Sequence, residues 1–420
     1  MRTEVIGGVT TFLAMAYIIV VNPAILKFAG LPVGPSTVAT ILVAAIGSLL
    51  MGLWANRPIA VAPYMGENAF IAFGLAALGV TWQQRLGAVF ISGIPFLIII
   101  FAGLRTWLAN AISPSLKYSF AVGIGLFLAF IGLNETGIVT KAEAVPVKIG
   151  DLRSTEVLLA IGGFIVIMVL MHRRIRGAIL IGIVATAIVG LLFGMGHAPS
   201  AIVAMPPSLA PIALHLDIMG VLRISFLPIL ITLFLMSFLD TLGTLVGVGA
   251  AGGMLDEKGN FPNIERPMTV DAVSCMISGL LGTSTSGAFI ESAAGIREGA
   301  RTGLAAVTTG LLFALSLFFI PIVEPLQQLR FAYGPALIAV GVLMLDSIKK
   351  IDFDDLTELV PAFVTITMMI FSYNIANGLT AGLVLYPVLK LLTGRWREIN
   401  GGSVVLAVLC LIYYIFGLPH

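Results

Sequence analysis

Long apolar runs, parted by short polar stretches, dominate this chain of 420 residues. A helix that crosses the hydrocarbon core of a bilayer needs about 20 mostly apolar residues. Measured against that length, the pattern predicts helices near 5–26, 36–54, 59–78, 84–104, 116–133, 155–172, 178–195, 221–249, 268–282, 286–296, 302–323, 331–346, 358–372, 375–393 and 403–418. Several of these fifteen runs are too short or too rich in glycine to be plain spans. The longest stretches between them are 134–154, 196–220 and 250–267, which leave no room for a soluble domain.

Two runs are interrupted alike. The third reads Ala62-Pro63-Tyr64-Met65-Gly66-Glu67-Asn68-Ala69-Phe70, and the tenth reads Ser284-Thr285-Ser286-Gly287-Ala288-Phe289-Ile290-Glu291-Ser292-Ala293-Ala294-Gly295. Each mixes Gly and small residues with one Glu that is followed by Ala. They stand seven runs apart, so with seven spans per half the second enters from the opposite side. Interrupted segments at matching places in two halves point to a transporter's binding site.

Composition sharpens this picture. Hydrophobic residues make up 59% of the chain and charged residues only 10%, against about 25% charged in a soluble domain. The lipid bilayer is therefore the partner, and the chain reads as a polytopic integral membrane protein. The net charge of +2 excludes a basic nucleic-acid binder and an acidic tail. Cys275 and Cys410 sit in apolar stretches as small buried residues, and His172, His197, His215 and His420 are scattered, so no metal centre is expected. No phosphate-binding loop and no nucleophile–base pair appears, which argues against an enzyme. Met1-Arg2-Thr3-Glu4 leads into the first run without a cleavage site, so no cleavable signal peptide is expected.

Lys and Arg set orientation. With a cytoplasmic N-terminus, that side receives Arg57, Arg105, Arg173, Arg174, Arg176, Lys258, Arg266, Lys349, Lys350, Arg395 and Arg397, while the other receives Lys27, Arg85, Lys141, Lys148, Arg153 and Arg330. The bias favours a cytoplasmic N-terminus. Asp352, Asp354, Asp355 and Glu358 form an acidic turn that reads as solvated and partly neutralised by Lys349 and Lys350.

A charge inside the membrane costs at least about 2.5–3.5 kcal/mol on insertion scales, so intramembrane acids are functional candidates. Three stand out: Glu67, Asp240 and Glu291. Asp240 lies deep in apolar sequence, with Thr241 and Thr244 able to donate to it; it suits a substrate N–H edge, a proton, or packing. Glu291 follows a Ser/Thr run, Thr283 to Ser286, that suits an extended stretch before a half-helix; alternatively it pairs with Arg297 or Arg301. Glu67 is a third ligand-facing carboxylate, a bond to its own backbone, or a partner of Arg57, while Asn68 beside it suits the helix break. A buried carboxylate could carry a proton, whereas sodium would want clustered oxygens, for which Ser284, Thr285, Ser286 and Asp240 are available.

At this point a family resemblance emerges. Thr10-Thr11-Phe12-Leu13-Ala14-Met15-Ala16-Tyr17-Ile18-Ile19-Val20-Val21-Asn22-Pro23 resembles the first-helix signature of the azaguanine-type hypoxanthine/guanine/adenine permeases, a branch of the nucleobase–cation symporter 2 (xanthine/uracil permease) superfamily. Phe238-Leu239-Asp240-Thr241-Leu242-Gly243-Thr244, Glu291-Ser292-Ala293-Ala294-Gly295, Arg301-Thr302-Gly303-Leu304 and Ile375-Ala376-Asn377-Gly378 follow in the same order. The resemblance implies an all-α polytopic fold of fourteen transmembrane segments in two inverted seven-segment repeats, with core and gate domains. Short strands would open segments three and ten. The repeats would cover 1–200 and 201–400, with 401–420 as an extra C-terminal apolar helix. It further implies import of a purine base with a cation, usually a proton, at the cytoplasmic (inner) membrane of a prokaryote, and a homodimer is among the expectations.

Carried over by residue, the resemblance makes Asp240 the carboxylate that hydrogen-bonds the base and Glu291 the one near the base and the coupling site. Thr241 adjoins the first. Gly287, Ala288 and Phe289 match the strand whose backbone faces substrate, and Ala14 and Tyr17 match pocket-lining positions. Glu67 departs from the pattern, because these permeases usually carry an apolar residue there. Its carboxylate suits a guanidine-like, cationic substrate or a shifted proton site. Arg297 and Glu298 also replace small residues, and they would pair with each other or with Glu67.

Overall fold

A computed structural model describes residues 1–75, 78–256 and 261–416, with side chains through Leu411. Lys258, His420 and parts of the runs 59–78 and 403–418 lie outside the described residues. The first half runs α1 (Arg2–Met15), α2 (Ile18–Leu26), α3 (Val33–Leu53), β1 (Val61–Pro63), α4 (Met65–Ala69) with a π turn over Phe70–Gly74, α5 (Trp82–Phe101), α6 (Arg105–Ala111), α7 (Pro114–Glu135), the hairpin β2 (Val139–Lys141) and β3 (Val147–Ile149), α8 (Thr155–His172) and α9 (Ala178–Leu192). The second runs α10 (Ile218–Val221), α11 (Leu227–Ala251), α12 (Glu265–Leu281), β4 (Ser286–Ala288), α13 (Ser292–Arg297), α14 (Gly303–Ser316), α15 (Ile320–Leu326), α16 (Arg330–Met344), α17 (Leu356–Phe371), α18 (Ile375–Leu392) and α19 (Gly401–Phe416).

Among the described residues, nine helical stretches are long and apolar enough to cross a membrane, and Ala178–Leu192, Leu356–Phe371 and Gly401–Leu411 are shorter apolar helices. Adding α12 and the two broken segments, and setting α19 apart, gives fourteen spans. The hairpin inside 134–154 and the short helix α6 were not legible in hydropathy. Neither is long or apolar enough to register.

The helices pack in two groups. In one, α3 lies against α14, α5 against α12 and α11, and α1 against α13 and α14; in the other, α7 lies against α16 and α17, α8 against α9 and α16, and α17 against α18. Without a hydrophobic drive between helices in lipid, close backbone approach does the work. A Cβ on Gly341 of α16 would collide with the Gly125 carbonyl of α7. Pro23 supplies no N–H to the carbonyl of Ile19. Buried Gln327 donates to that carbonyl instead, at 2.8 Å.

The acidic turn after α16 is not simply solvated. Lys390, 1% exposed on α18, meets Glu398 at 2.7 Å, Glu358 at 3.1 Å and Asp355 at 3.4 Å. Arg395 reaches Asp355 at 2.6 Å. Asp355 caps α17 by accepting from the Thr357 N–H at 2.9 Å and hydroxyl at 2.7 Å. Those Thr357 bonds, with Arg395 and Lys390 beside them, hold the Asp355 carboxyl well below the usual carboxylate range. Lys349 pairs with Asp346 and Lys350 covers the Tyr118 ring, so neither neutralises the turn as expected. The partner is Lys390, which sequence separation conceals.

Candidate functional site

The two interrupted segments meet through their backbones. β1 and β4 pair antiparallel with Val61 opposite Ala288, Ala62 opposite Gly287 and Pro63 opposite Ser286. Tyr64 N–H donates to Thr285 O and Phe289 N–H to Ala60 O, both at 2.9 Å, which extends the ladder at each end. All six strand residues are buried. Non-helical backbone at membrane depth is tolerated only where protein covers it and its polar groups are bonded, as they are here. Pro63 favours the extended form of Ala62 before it. Gly287 leaves room that a Cβ would take from the Tyr64 ring and from Asp271 Oδ2.

Each strand passes into a half-helix, and each half-helix ends on a guanidinium. Arg85, at the start of α5, donates to the carbonyls of Ile71 at 2.8 Å, Ala72 at 3.2 Å and Val80 at 3.0 Å. Arg301, just before α14, donates to the carbonyls of Ile296 and Ala300, both at 2.7 Å. The last carbonyls of a helix lack intrahelical partners, and a cation suits that end. The two arginines occupy equivalent places in the two halves.

Four carboxyls gather around this crossing, one more than the sequence suggested. Asp240 lies midway along α11, part exposed, and its carboxyl adjoins that of Glu67. Glu67 on α4 is fully buried, and neither of its oxygens has a hydrogen-bond donor among the described residues. The fourth is Asp271 of α12, fully buried. Its Oδ2 accepts from Thr241 Oγ1 at 2.8 Å, from Ala288 N–H at 2.8 Å and from Tyr64 Oη at 3.4 Å. Asp271 was hidden because α12 opens on polar residues and reads as a weak span. Its place four residues before Cys275 in a helix facing the tenth segment was the available signal.

The remaining expected residues separate into two settings. Thr241 faces Asp271 and the Tyr64 hydroxyl, 3.0 Å away, so it does not cap Asp240. Tyr64, missed in the sequence, also lies parallel to Phe289, with ring centroids 6.2 Å apart. Gly287 and Ala288 lie in β4, and Phe289 follows it directly. Glu291 is part exposed and accepts from the Tyr17 hydroxyl at 2.8 Å. It pairs with neither Arg297 nor Arg301, because Arg301 is taken up by backbone carbonyls. Ala14 is half-buried near the end of α1, one turn before Tyr17. Asn68 donates to Asn22 O at 3.1 Å. Arg57 donates to Pro262 O at 2.5 Å and covers Phe261, so it does not serve Glu67. Glu298 pairs with Arg176 of the α8–α9 turn at 2.5 Å, not with Arg297. Ser284 donates to Asn22 Oδ1 and Ser286 accepts from Ser278, so these two hydroxyls already have partners apart from Asp240, whereas the buried Thr285 hydroxyl has none among the described residues.

The site opens along one face of α11. Asp240, Gly243 and Gly247 share that face, and among the described residues no atom beyond the adjoining turns of α11 lies within 4 Å of the place a Cβ would occupy on either glycine. Ile290, beside Glu291, is 60% exposed. This open face runs toward the end of the molecule that carries the N-terminus. At the other end, rings from both helix groups interlock: Phe28 on Phe73 at 5.2 Å, Phe73 on Tyr373 at 5.7 Å, and Tyr373 on Phe127 at 5.3 Å and Phe130 at 5.8 Å.

Known proteins of similar sequence or shape fit this geometry. The transmembrane domain of a cyanobacterial bicarbonate transporter, BicA, superposes with a TM-score of 0.68 at 16% identity, covering 91% of this chain and 97% of that one. SLC26A9 superposes at 0.65 with 12% identity, covering 94% of this chain and 65% of that one. At such identity the likeness is one of fold, the two inverted seven-segment repeats. In sequence, the adenine permease AdeQ of Escherichia coli K12 is 42% identical over 97% of this chain and 91% of its own length. The guanine/hypoxanthine permease PbuG of Bacillus subtilis is 40% identical over 99% of this chain and 96% of its own length. The Permease family profile matches residues 2–380. A broken pair of segments crossing at a cluster of buried acids, on this fold and with these relatives, makes the chain an integral membrane permease and not an enzyme: it belongs to the Permease family, on the branch that holds the adenine and guanine/hypoxanthine permeases.

Proposed function

We propose that this chain is a secondary active transporter that imports purine nucleobases of the guanine, hypoxanthine and adenine type, by proton symport with alternating access. The observation that carries the reading is the Asp240 carboxyl, set midway along α11 on an uncovered face beside the β1–β4 crossing. A carboxylate accepts two N–H bonds from a purine edge, and charge-assisted bonds are the stronger kind. The relatives named as adenine and guanine/hypoxanthine permeases support the same substrate class. Glu291, held by Tyr17 and part exposed, is the second substrate-facing acid. The group formed by α1–α5 and α11–α15 holds the site, and α7–α9 with α16–α18 form the opposing wall. Their relative movement would open the aromatic end and close the other.

The two repeats divide near residue 200, the N-terminus is cytoplasmic, the membrane is the prokaryotic inner membrane, and the carrier works as a homodimer in this reading. A guanidine-like substrate is the competing one, and the complete burial of Glu67 disfavours it, since that carboxyl meets Asp240 and not the open face. A thermal-shift panel on purified protein tests both. Guanine, hypoxanthine, adenine, xanthine, uracil and guanidine are added in turn, because a ligand of the folded state stabilises it by mass action. A shift with purines alone is expected; a shift with guanidine and none with purines would overturn the reading.

A further inference from the structure

Glu67 is the acid least explained by substrate binding. It is fully buried, and both of its oxygens lack a donor among the described residues. Its half-helix α4 nevertheless packs on α11, where its carboxyl adjoins that of Asp240. Ionised carboxylates only accept hydrogen bonds, so two of them in contact bond only when one carries a proton. Carboxyl pairs that share one proton are a known arrangement in enzymes. Glu291 differs on both counts, since it has a hydroxyl donor in Tyr17 and faces the opening.

We propose that Glu67 and Asp240 share one proton in the empty carrier, and that this pair, not Glu291, carries the coupled proton. The idea rests on the purine–proton reading above. When a base offers its N–H to Asp240, Asp240 must accept, so the shared proton moves onto Glu67. No other bond changes. Binding therefore favours the state with Glu67 protonated and Asp240 anionic, and the base and proton travel together. When the base leaves, Asp240 again faces the open side of α11 and passes the proton to water; the empty carrier returns without it and takes up a new proton before the next base, so one proton moves with each base.

The surroundings suit this role. Besides Asp240, the ionisable groups that feel the Glu67 charge are Tyr64, directly after β1, and Cys275 of α12. Asp271 of α12 is occupied by Thr241, Tyr64 and Ala288. α2, packed on α4, has no ionisable residue. α7 turns Ile124 toward Gly66, and its Tyr118 and Glu135 are engaged by Lys350 and Tyr333. Lys117 lies near the start of the same helix. No cation near Glu67 competes with the proton among these groups.

The experiment compares wild type, Glu67→Gln and Glu291→Gln in proteoliposomes. Purine counterflow, which needs no gradient, is measured beside accumulation driven by a proton gradient across a range of pH. Glu67→Gln is expected to exchange base measurably but to lose gradient-driven accumulation at least tenfold and its pH dependence. Glu291→Gln is expected to keep the pH dependence of whatever transport remains. A Glu67→Gln variant that accumulates base with the wild-type pH profile overturns the proposal. Infrared spectra of the ligand-free proteins give a second readout. A protonated-carboxyl C=O band should be present in wild type, lost in Glu67→Gln, and shifted in frequency in Asp240→Asn, where buried Glu67 keeps a proton but loses its acid partner. A band of unchanged strength and frequency in all three also overturns the proposal. If wild type exchanges no purine, the substrate reading fails, and the infrared comparison still decides the carboxyl pair.

Discussion

The two broken segments, 61–75 and 286–297, share a scaffold but not a chemistry. Each has a three-residue strand, a half-helix and an arginine on its last carbonyls. In the first, the acid is sealed, without a donor among the described residues, and faces another acid; in the second, it is part exposed and takes a tyrosine hydroxyl. The caps differ too, since Arg85 is 6% exposed and Arg301 lies at the surface. An inverted repeat thus supplies symmetric backbone placement, and single side chains divide the labour. In the proposed reading the first half holds the proton and the second faces the ligand.

The sharpest way to break the comparison is to remove the residue both halves converge on. Asp240→Ala should abolish purine binding and uptake, by more than about 100-fold in affinity, because a pocket built around a charged hydrogen bond loses most of its recognition with it. Isothermal titration with purified protein measures it, and retained affinity removes Asp240 from the site. Next come the arginine caps. Arg85→Met leaves three buried carbonyls without a donor, at a cost on the order of 1–3 kcal/mol each. Arg301→Met removes the donor from two carbonyls, those of Ile296 and Ala300, beneath a surface side chain, and should cost less, about 1 kcal/mol. Thermal unfolding in detergent should rank the two in that order; equal losses would mean that burial does not distinguish the caps.

A smaller effect is expected at Tyr17. Tyr17→Phe deletes the donor to Glu291, a hydrogen bond to a charged group worth about 1.5–3 kcal/mol. Purine affinity should fall about tenfold with uptake still coupled to protons, and an unchanged affinity would detach this pair from the ligand. The smallest effect is sought outside both segments, at Asp355. A carboxyl held below its usual range stabilises the fold fully above the ordinary value near about 4. That contribution is lost as pH falls from there toward the folded value. Asp355→Asn should therefore lower the unfolding temperature slightly at pH 7, and the gap should narrow below about pH 4. A gap independent of pH would show that capping of α17, not charge, is what Asp355 provides.

Part of this site was legible in advance because membrane burial makes acids rare. Asp240, Glu67 and Glu291 stand out against apolar neighbours, and the interrupted runs around Glu67 and Glu291 announce broken helices. Asp271 and Lys390 were not legible in the same way. Asp271 sits in a helix whose polar start dilutes the hydropathy signal, and the partners of Lys390 lie at Asp355, Glu358 and Glu398, two of them more than thirty residues away. Local reading offered Arg297 or Arg301 as alternative partners of Glu291, and Arg57 as one of Glu67, on proximity along the chain. The structure gives both guanidiniums to backbone carbonyls, whose demand for donors a one-dimensional reading does not register.

What the sequence by itself determined is the membrane architecture and the list of candidate acids. Both follow from transfer energetics, which act residue by residue and leave a record in composition and periodicity. Only the tertiary structure decided which acid meets which partner: Glu67 with Asp240, Glu291 with Tyr17, and Asp271 with Thr241 and the backbone of Ala288. Those pairings cross 17 to 274 positions of chain where hydrogen bonds define them, and they exist because β1 and β4 bring two distant segments into register at one point.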